Sequence, residues 1–158
     1  MKTLFKIEDK CYKGIQAIAI VLLCFMTTLF FIQTVLRFTV RIALPWAEEL
    51  CRYTLIWAVF LESGIGITKG IHVGFDLLSS RLKGSFQTVI YIITQIVVFI
   101  IGTQVVRGGW VLTLQVQKQL SASLSISMSW FYLSIPVGGV LLCIYTVMNV
   151  LRKLVRTE

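Results

Sequence analysis

GIQAIAIVLLCFMTTLFFIQTVL, residues 14–36, decides the fold. At 1.5 Å rise per residue a helix over this run is about 34 Å long, enough to cross a hydrocarbon core roughly 30 Å thick. A secretory signal has a shorter apolar region and a small-residue cleavage site. This run is longer and ends in bulky Val35 and Leu36 followed by Arg37, so it is expected to stay as an uncleaved anchor.

The whole chain agrees with that first run. Of its 158 residues, 57% are hydrophobic and 14% charged, with a mean hydropathy of +0.86. A soluble domain carries about 25% charged and 45–50% apolar residues, so this chain holds more apolar surface than one core hides. At roughly 20 residues per crossing, the length allows four or at most five membrane helices and leaves little for a separate catalytic domain.

Three further runs follow: about 45–68, opened by Pro45 and Trp46; about 86–106, whose pattern continues past Arg107 and Trp110 toward Leu120; and about 130–151, with Pro136 inside it. Proline suits a helix start, and inside a membrane helix it is tolerated where neighbours satisfy the freed carbonyl. The predicted fold class is an all-α integral membrane protein, a single domain over 1–158 with four transmembrane helices and short amphipathic interfacial helices. Ten of the fifteen Lys and Arg residues precede the first run, lie between the second and third, or follow the fourth. The positive-inside rule therefore places both termini in the cytoplasm. The same distribution at run ends, and not in one patch, argues against a nucleic-acid partner despite the charge of +8.

Two connectors have helical spacing. In 70–83, Ile71, Phe75, Leu78 and Leu82 form an apolar stripe opposite His72, Asp76, Ser79 and Lys83, which predicts a helix lying flat in the cytoplasmic headgroups. In 37–44, Arg37 pairs with Arg41 and Phe38 with Ile42, predicting a shorter interfacial segment. The 115–129 loop, with serine at every second position from 121 to 129, reads equally as an extended or a solvated segment.

Chemistry is sparse. Cys11, Cys24, Cys51 and Cys143 have no CxxC spacing, which argues against zinc or an iron–sulfur cluster, and the single His72 excludes a haem held between two histidines of one chain. His72 and Asp76 share the solvated face of a surface helix. No nucleophile stands with a base and no phosphate loop is present, so no catalytic, cofactor-binding or metal residue is expected and an enzyme is disfavoured.

The densest polar cluster is Glu48, Glu49 and Arg52 at the start of the second run, beside Trp46. Either carboxylate can pair with Arg52, at i,i+4 or i,i+3, and one negative charge is left over. The cluster then sits among lipid headgroups or faces a protein partner. Glu62 is about 20 Å deeper along the same helix, where it must be protonated, paired or facing a partner, unless it snorkels toward the cytoplasmic boundary near Lys69. Gly66 and Gly70 have the GxxxG spacing of a helix contact. Trp46, Trp110, Trp130 and Tyr132 fall near run ends on one side, as an interfacial belt requires.

The stretch LPWAEELCRYTLIWAVFLESGIGITKGIHVGFDLL, residues 44–78, resembles the small membrane subunit, of DctQ type, of the tripartite ATP-independent periplasmic (TRAP) transporters. The likeness rests on Pro45-Trp46, Glu48-Glu49, Arg52-Tyr53, Gly70-Ile71-His72-Val73 and Asp76, and on YLSIPVG at 132–138 in the last run. Glu62-Ser63 departs from the family pattern, which has glycine directly after the Phe-Leu of this helix.

The resemblance implies a multi-pass protein of the bacterial inner membrane within a secondary-active, sodium-driven importer of an organic acid. A large membrane subunit would carry the substrate and sodium sites and move as an elevator, and a periplasmic substrate-binding protein would deliver the solute. This chain would enlarge the static scaffold and bind no cofactor. On that reading Trp46, Glu48, Glu49, Arg52, Glu62, Gly66 and Gly70 face the large subunit or phospholipid, and Arg37 and Arg41 help dock the binding protein. The alternative from a different class is a self-contained proton-coupled transporter using Glu62.

Overall fold

A computed structural model describes residues 2–66 and 85–157, with side chains for 9–66 and 89–152. Helix α1 runs Lys2–Thr39, α2 Pro45–Gly66, α3 Ser85–Gln115, the single turn α4 Ser129–Tyr132, and α5 Ser134–Thr157. Among the described residues the only extended pairing is a bridge between Leu120 and Ser127.

Hydroxyl groups on these apolar helices hydrogen-bond to their own backbones. Thr27, Thr28, Thr34, Thr54, Thr94, Thr113 and Thr146 each donate to the carbonyl four residues back, at 2.7–2.9 Å. Where lipid offers no hydrogen bonds, that bond lets a polar residue sit in a membrane helix.

The helices stand side by side in the order α1, α2, α5, α3, each packing mainly on its neighbours in that row. Glycine sets the spacing. Gly138 and Gly139 are adjacent on α5, about 100° apart around the helix, and so face different partners. A Cβ on Gly138 would fall 2.6 Å from the Phe60 carbonyl oxygen of α2, and one on Gly139 would fall 2.9 Å from Val106 of α3. Gly64 meets Leu141, Gly102 meets Leu142 and Cys143, and Gly109 meets Ile135 and Pro136 in the same way. Small residues bring helix backbones close enough for dense packing, which holds helices together where both they and the lipid are apolar. In these pairings α2 and α5 run parallel, and α3 runs antiparallel to α5.

A row one helix thick leaves two broad apolar faces. Phe25, Phe31, Ile93, Ile96, Ile100 and Ile144 are among the exposed large side chains. The edge helix α1 has 6% of its most apolar window buried, against 33% for α5 inside the row.

Several expectations change. Among the described residues three helices, Asp9–Thr39, Val89–Gln115 and Ser129–Arg152, are long and apolar enough to cross a membrane, and the expected second span, α2, is not one of them. Helix α2 has the length, but Glu48, Glu49, Arg52 and Glu62 make its composition too polar. No separate interfacial helix forms over 37–44: α1 continues to Thr39, and Arg41 at φ 58° breaks the chain before α2. Proline explains a second break. Pro136 has no N–H to give the Tyr132 carbonyl, so the last span divides at Leu133 and Pro136 falls in the first turn of α5. The helix predicted over 70–83 lies outside the described residues.

The row has two distinguishable ends. Arg152 Nη2 of α5 meets Asp9 Oδ1 of α1 at 3.4 Å, which puts the two chain termini at the same end. The other end carries the 40–44 turn, the 116–128 loop and α4.

Candidate functional site

The polar residues of the α1–α2 turn and of the 116–128 loop gather at the end opposite the termini. Their anchor is Glu49, in the second turn of α2. Tyr53, one turn further on, donates its hydroxyl to Glu49 Oε1 at 2.6 Å, and the backbone N–H of Ser123 donates to Oε2 at 2.9 Å. Both carboxylate oxygens are thereby engaged, one within the helix and one by the loop between α3 and α4.

The Tyr53 ring, 8% exposed, stacks on Phe131 of α4 with centroids 3.5 Å apart and planes 6° from parallel. One tyrosine thus joins α2 to α4 through its ring and to Glu49 through its hydroxyl.

The loop that Glu49 holds is a hairpin. Ser121 N–H donates to Ile126 O at 2.8 Å and Met128 N–H to Gln119 O at 2.9 Å, closing the Leu120–Ser127 bridge. At its tip Ser125 takes φ 54° and its N–H donates back to Ser121 O at 3.1 Å. Ser127 Oγ donates to Gln117 O at 2.8 Å. The alternating serines therefore divide between backbone bonds and solvent, which settles the choice between extended and solvated that the sequence left open.

Of the two pairings open to Arg52, the structure makes the one with Glu48, at 3.7 Å and with both side chains more than half exposed. An ion pair that open to solvent contributes little stability. The leftover charge is that of Glu49, met by Tyr53 and Ser123 within this chain. Trp46 is 43% exposed beside them.

The remaining predicted residues are dispersed. Arg37, near the end of α1, lines a hollow with Gln33 and Glu48, whereas Arg41 sits exposed in the turn. Glu62 is half-buried, and among the described residues it has no hydrogen bond or ion pair. A Cβ on Gly66 would meet open space. Gly70, Ile71, His72, Phe75, Asp76, Leu78 and Leu82 lie outside the described residues.

Three residues that matter here drew no attention from pattern alone: Phe131, Gln33 and Gln95. Tyr53 is one helical turn from Glu49, a spacing that was legible. Ser123 and Phe131 carry no such mark, because their contacts span long sequence separations. Gln33 and Gln95 are 7% and 9% exposed, and the Oε1 of each has no hydrogen-bond partner among the described residues.

The family described as "Tripartite ATP-independent periplasmic transporters, DctQ component" matches residues 26–156, well over half the chain. Two curated relatives agree with it. A protein named as a TRAP transporter small permease, from Haemophilus influenzae (strain ATCC 51907 / DSM 11121 / KW20 / Rd), is 27% identical over 99 residues, covering 63% of this chain and 62% of that one. The C4-dicarboxylate TRAP transporter small permease protein DctQ of Rhodobacter capsulatus is 30% identical over 105 residues, covering 65% of this chain and 46% of that one. The matched stretch spans less than two thirds of the length of either relative.

Proposed function

The chain belongs to the DctQ component family of the tripartite ATP-independent periplasmic transporters, transport components of the inner membrane and not enzymes, and we propose that it is the scaffold-enlarging small subunit of a sodium-driven organic-acid importer. The observation that carries this reading is the row of helices itself. A one-helix-thick array with two unpartnered apolar faces has a large footprint in the bilayer for its mass and encloses little, which suits a part that resists tipping while a neighbour slides.

On this reading α2 is a fourth crossing. Its charges are tolerated because Glu48, Glu49 and Arg52 stand at the headgroup level and Glu62 approaches the opposite boundary. Both termini then lie in the cytoplasm, as the lysine and arginine distribution requires. The periplasmic end presents Arg41, Trp46 and the hairpin braced by Glu49, a rigid surface for a substrate-binding protein. The large subunit takes one broad face of the row, and solute and sodium are handled there.

The reading is tested by expressing the chain with and without the genes of a large subunit and a binding protein. Co-purification with the large subunit, and uptake in vesicles only when all three are present, are expected. Coupled solute movement by the isolated chain in liposomes would overturn it and favour the self-contained transporter.

A further inference from the structure

Helix α2 lies inside the row, and its residues sort by direction around its axis. Cys51 Sγ donates to the Met26 carbonyl of α1 at 3.7 Å, and buried Ala47, Ala58 and Ile65 point the same way. Phe60 and Gly64 meet α5. At about 100° per residue these two directions are about 130° apart, so α2 keeps a narrow outward side on one face of the row and a wide one, about 230° of arc, on the other. The narrow side holds Leu50, Trp57 and Leu61, all apolar and half-buried. The wide side holds Glu48, Arg52, Leu55, Val59 and Glu62, with Leu55 41% and Val59 53% exposed.

Glu62 lacks what its depth requires. It is half-buried, and among the described residues it has no hydrogen bond or ion pair. With Glu48 at the headgroup level, Glu62 lies about 21 Å further along α2 and about 9 Å short of the far edge of a hydrocarbon core roughly 30 Å thick. Acyl chains offer a carboxylate no donor, and the phosphates and amines of headgroups stay at the interface, so a charged residue at that depth faces protein. This chain does not supply the cation: the apolar runs 14–36, 86–106 and 130–151 contain no Lys or Arg, and Arg52 is about 15 Å back along the helix. A second copy of the chain has the same lack. The complement of Glu62 is therefore a cation carried into the bilayer by a different polypeptide.

We propose that a transmembrane helix of the large subunit lies along the wide side of α2 and presents a lysine or arginine to Glu62. The inference rests on the subunit reading and adds to it which face of the row the partner takes and which charge it brings. Leu55 and Val59 give the incoming helix an apolar contact between the charged levels, and the loosely held Glu48–Arg52 pair, 3.7 Å apart, meets its outer end. Leu50, Trp57 and Leu61 on the narrow side are left to lipid. The charge-assisted pair at Glu62 fixes the register of the two helices, because a carboxylate in hydrocarbon tolerates no slip away from its cation.

The test uses the full chain co-expressed with its large subunit, carrying a photo-crosslinking benzoylphenylalanine at position 59 or at position 61. Capture of the large subunit from position 59, and of lipid alone from position 61, is expected. Glu62→Gln should lower recovery of the large subunit with the chain roughly ten-fold, and Glu62→Lys at least as much, with helix content by circular dichroism unchanged. Recovery with Glu62→Lys should return in a large-subunit suppressor that replaces a lysine or arginine by glutamate. Capture of the large subunit from position 61 in place of 59, capture of a second copy of this chain or of lipid alone from position 59, or undiminished recovery with Glu62→Lys overturns the proposal. In each of those cases the subunit reading stands so long as the unsubstituted chain recovers the large subunit; failure of the unsubstituted chain to do so overturns both. The crosslinks leave Glu62 intact, so they decide the matter even where a Glu62 variant does not fold.

Discussion

The Glu49 carboxylate accepts the backbone N–H of Ser123 at 2.9 Å, a bond from α2 to a loop 74 residues further along the chain. That one acceptor fixes where the hairpin of 116–128 sits over the helix row. Glu49→Gln keeps an amide oxygen for one donor and puts an NH2 group in front of the other. Faster hydrogen exchange at the Ser123 amide is expected, with less change at Thr113 inside α3. Glu48→Gln, which breaks only an exposed pair with Arg52, should leave both rates unaltered.

Tyr53 makes two contacts that substitution can separate. Tyr53→Phe retains the stack on Phe131 and loses the hydroxyl bond to Glu49. Phe131→Leu retains apolar area and loses the ring contact, and should cost about 1 kcal/mol as a change of side-chain shape. Thermal unfolding in detergent should show both lowering the midpoint. Their sum should exceed the effect of the double variant, because the two contacts share one side chain.

The glycines give the sharpest contrast. Gly138→Ala sets a methyl against the backbone oxygen of Phe60, which cannot rotate away, so the α2–α5 contact must open at a cost of about 1–3 kcal/mol. Gly108→Ala, inside α3, meets open space and should stabilise that helix by up to about 1 kcal/mol through helix propensity. Equal unfolding midpoints for these two variants would contradict the packing described.

Asp9 and Arg152 place both termini at one end of the row. In a background with the native cysteines replaced by alanine, Asp9→Cys and Arg152→Cys should react with a membrane-impermeant maleimide from the same side of oriented vesicles. The paired variant should be joined by a short bifunctional maleimide. Reaction from opposite sides would show that the number of crossings is odd.

How far these features can be read from the chain differs by element. The apolar run at 14–36 announces α1 because burial in lipid depends on summed composition and length, both present in order along the sequence. Helix α2 shows where that sum stops working: its apolar residues are diluted by Glu48, Glu49, Arg52 and Glu62, and its place in the row rests on Gly64 and Gly138, which hydropathy does not register. The break at Leu133 was legible in Pro136, through its missing N–H. The end of α1 at Thr39 was not, since nothing in the 37–44 spacing requires the left-handed turn at Arg41.

Sequence alone determined that this protein is helical, resides in a membrane and gathers its positive charge at particular run ends, because those properties add residue by residue. Only the tertiary structure decided that the helices form a row in the order α1, α2, α5, α3, and that Arg52 takes Glu48 while Glu49 is left for Tyr53 and Ser123. Two carboxylates side by side are equivalent to a spacing rule. What separates them is which faces the donors of a distant loop, and that depends on how whole helices meet.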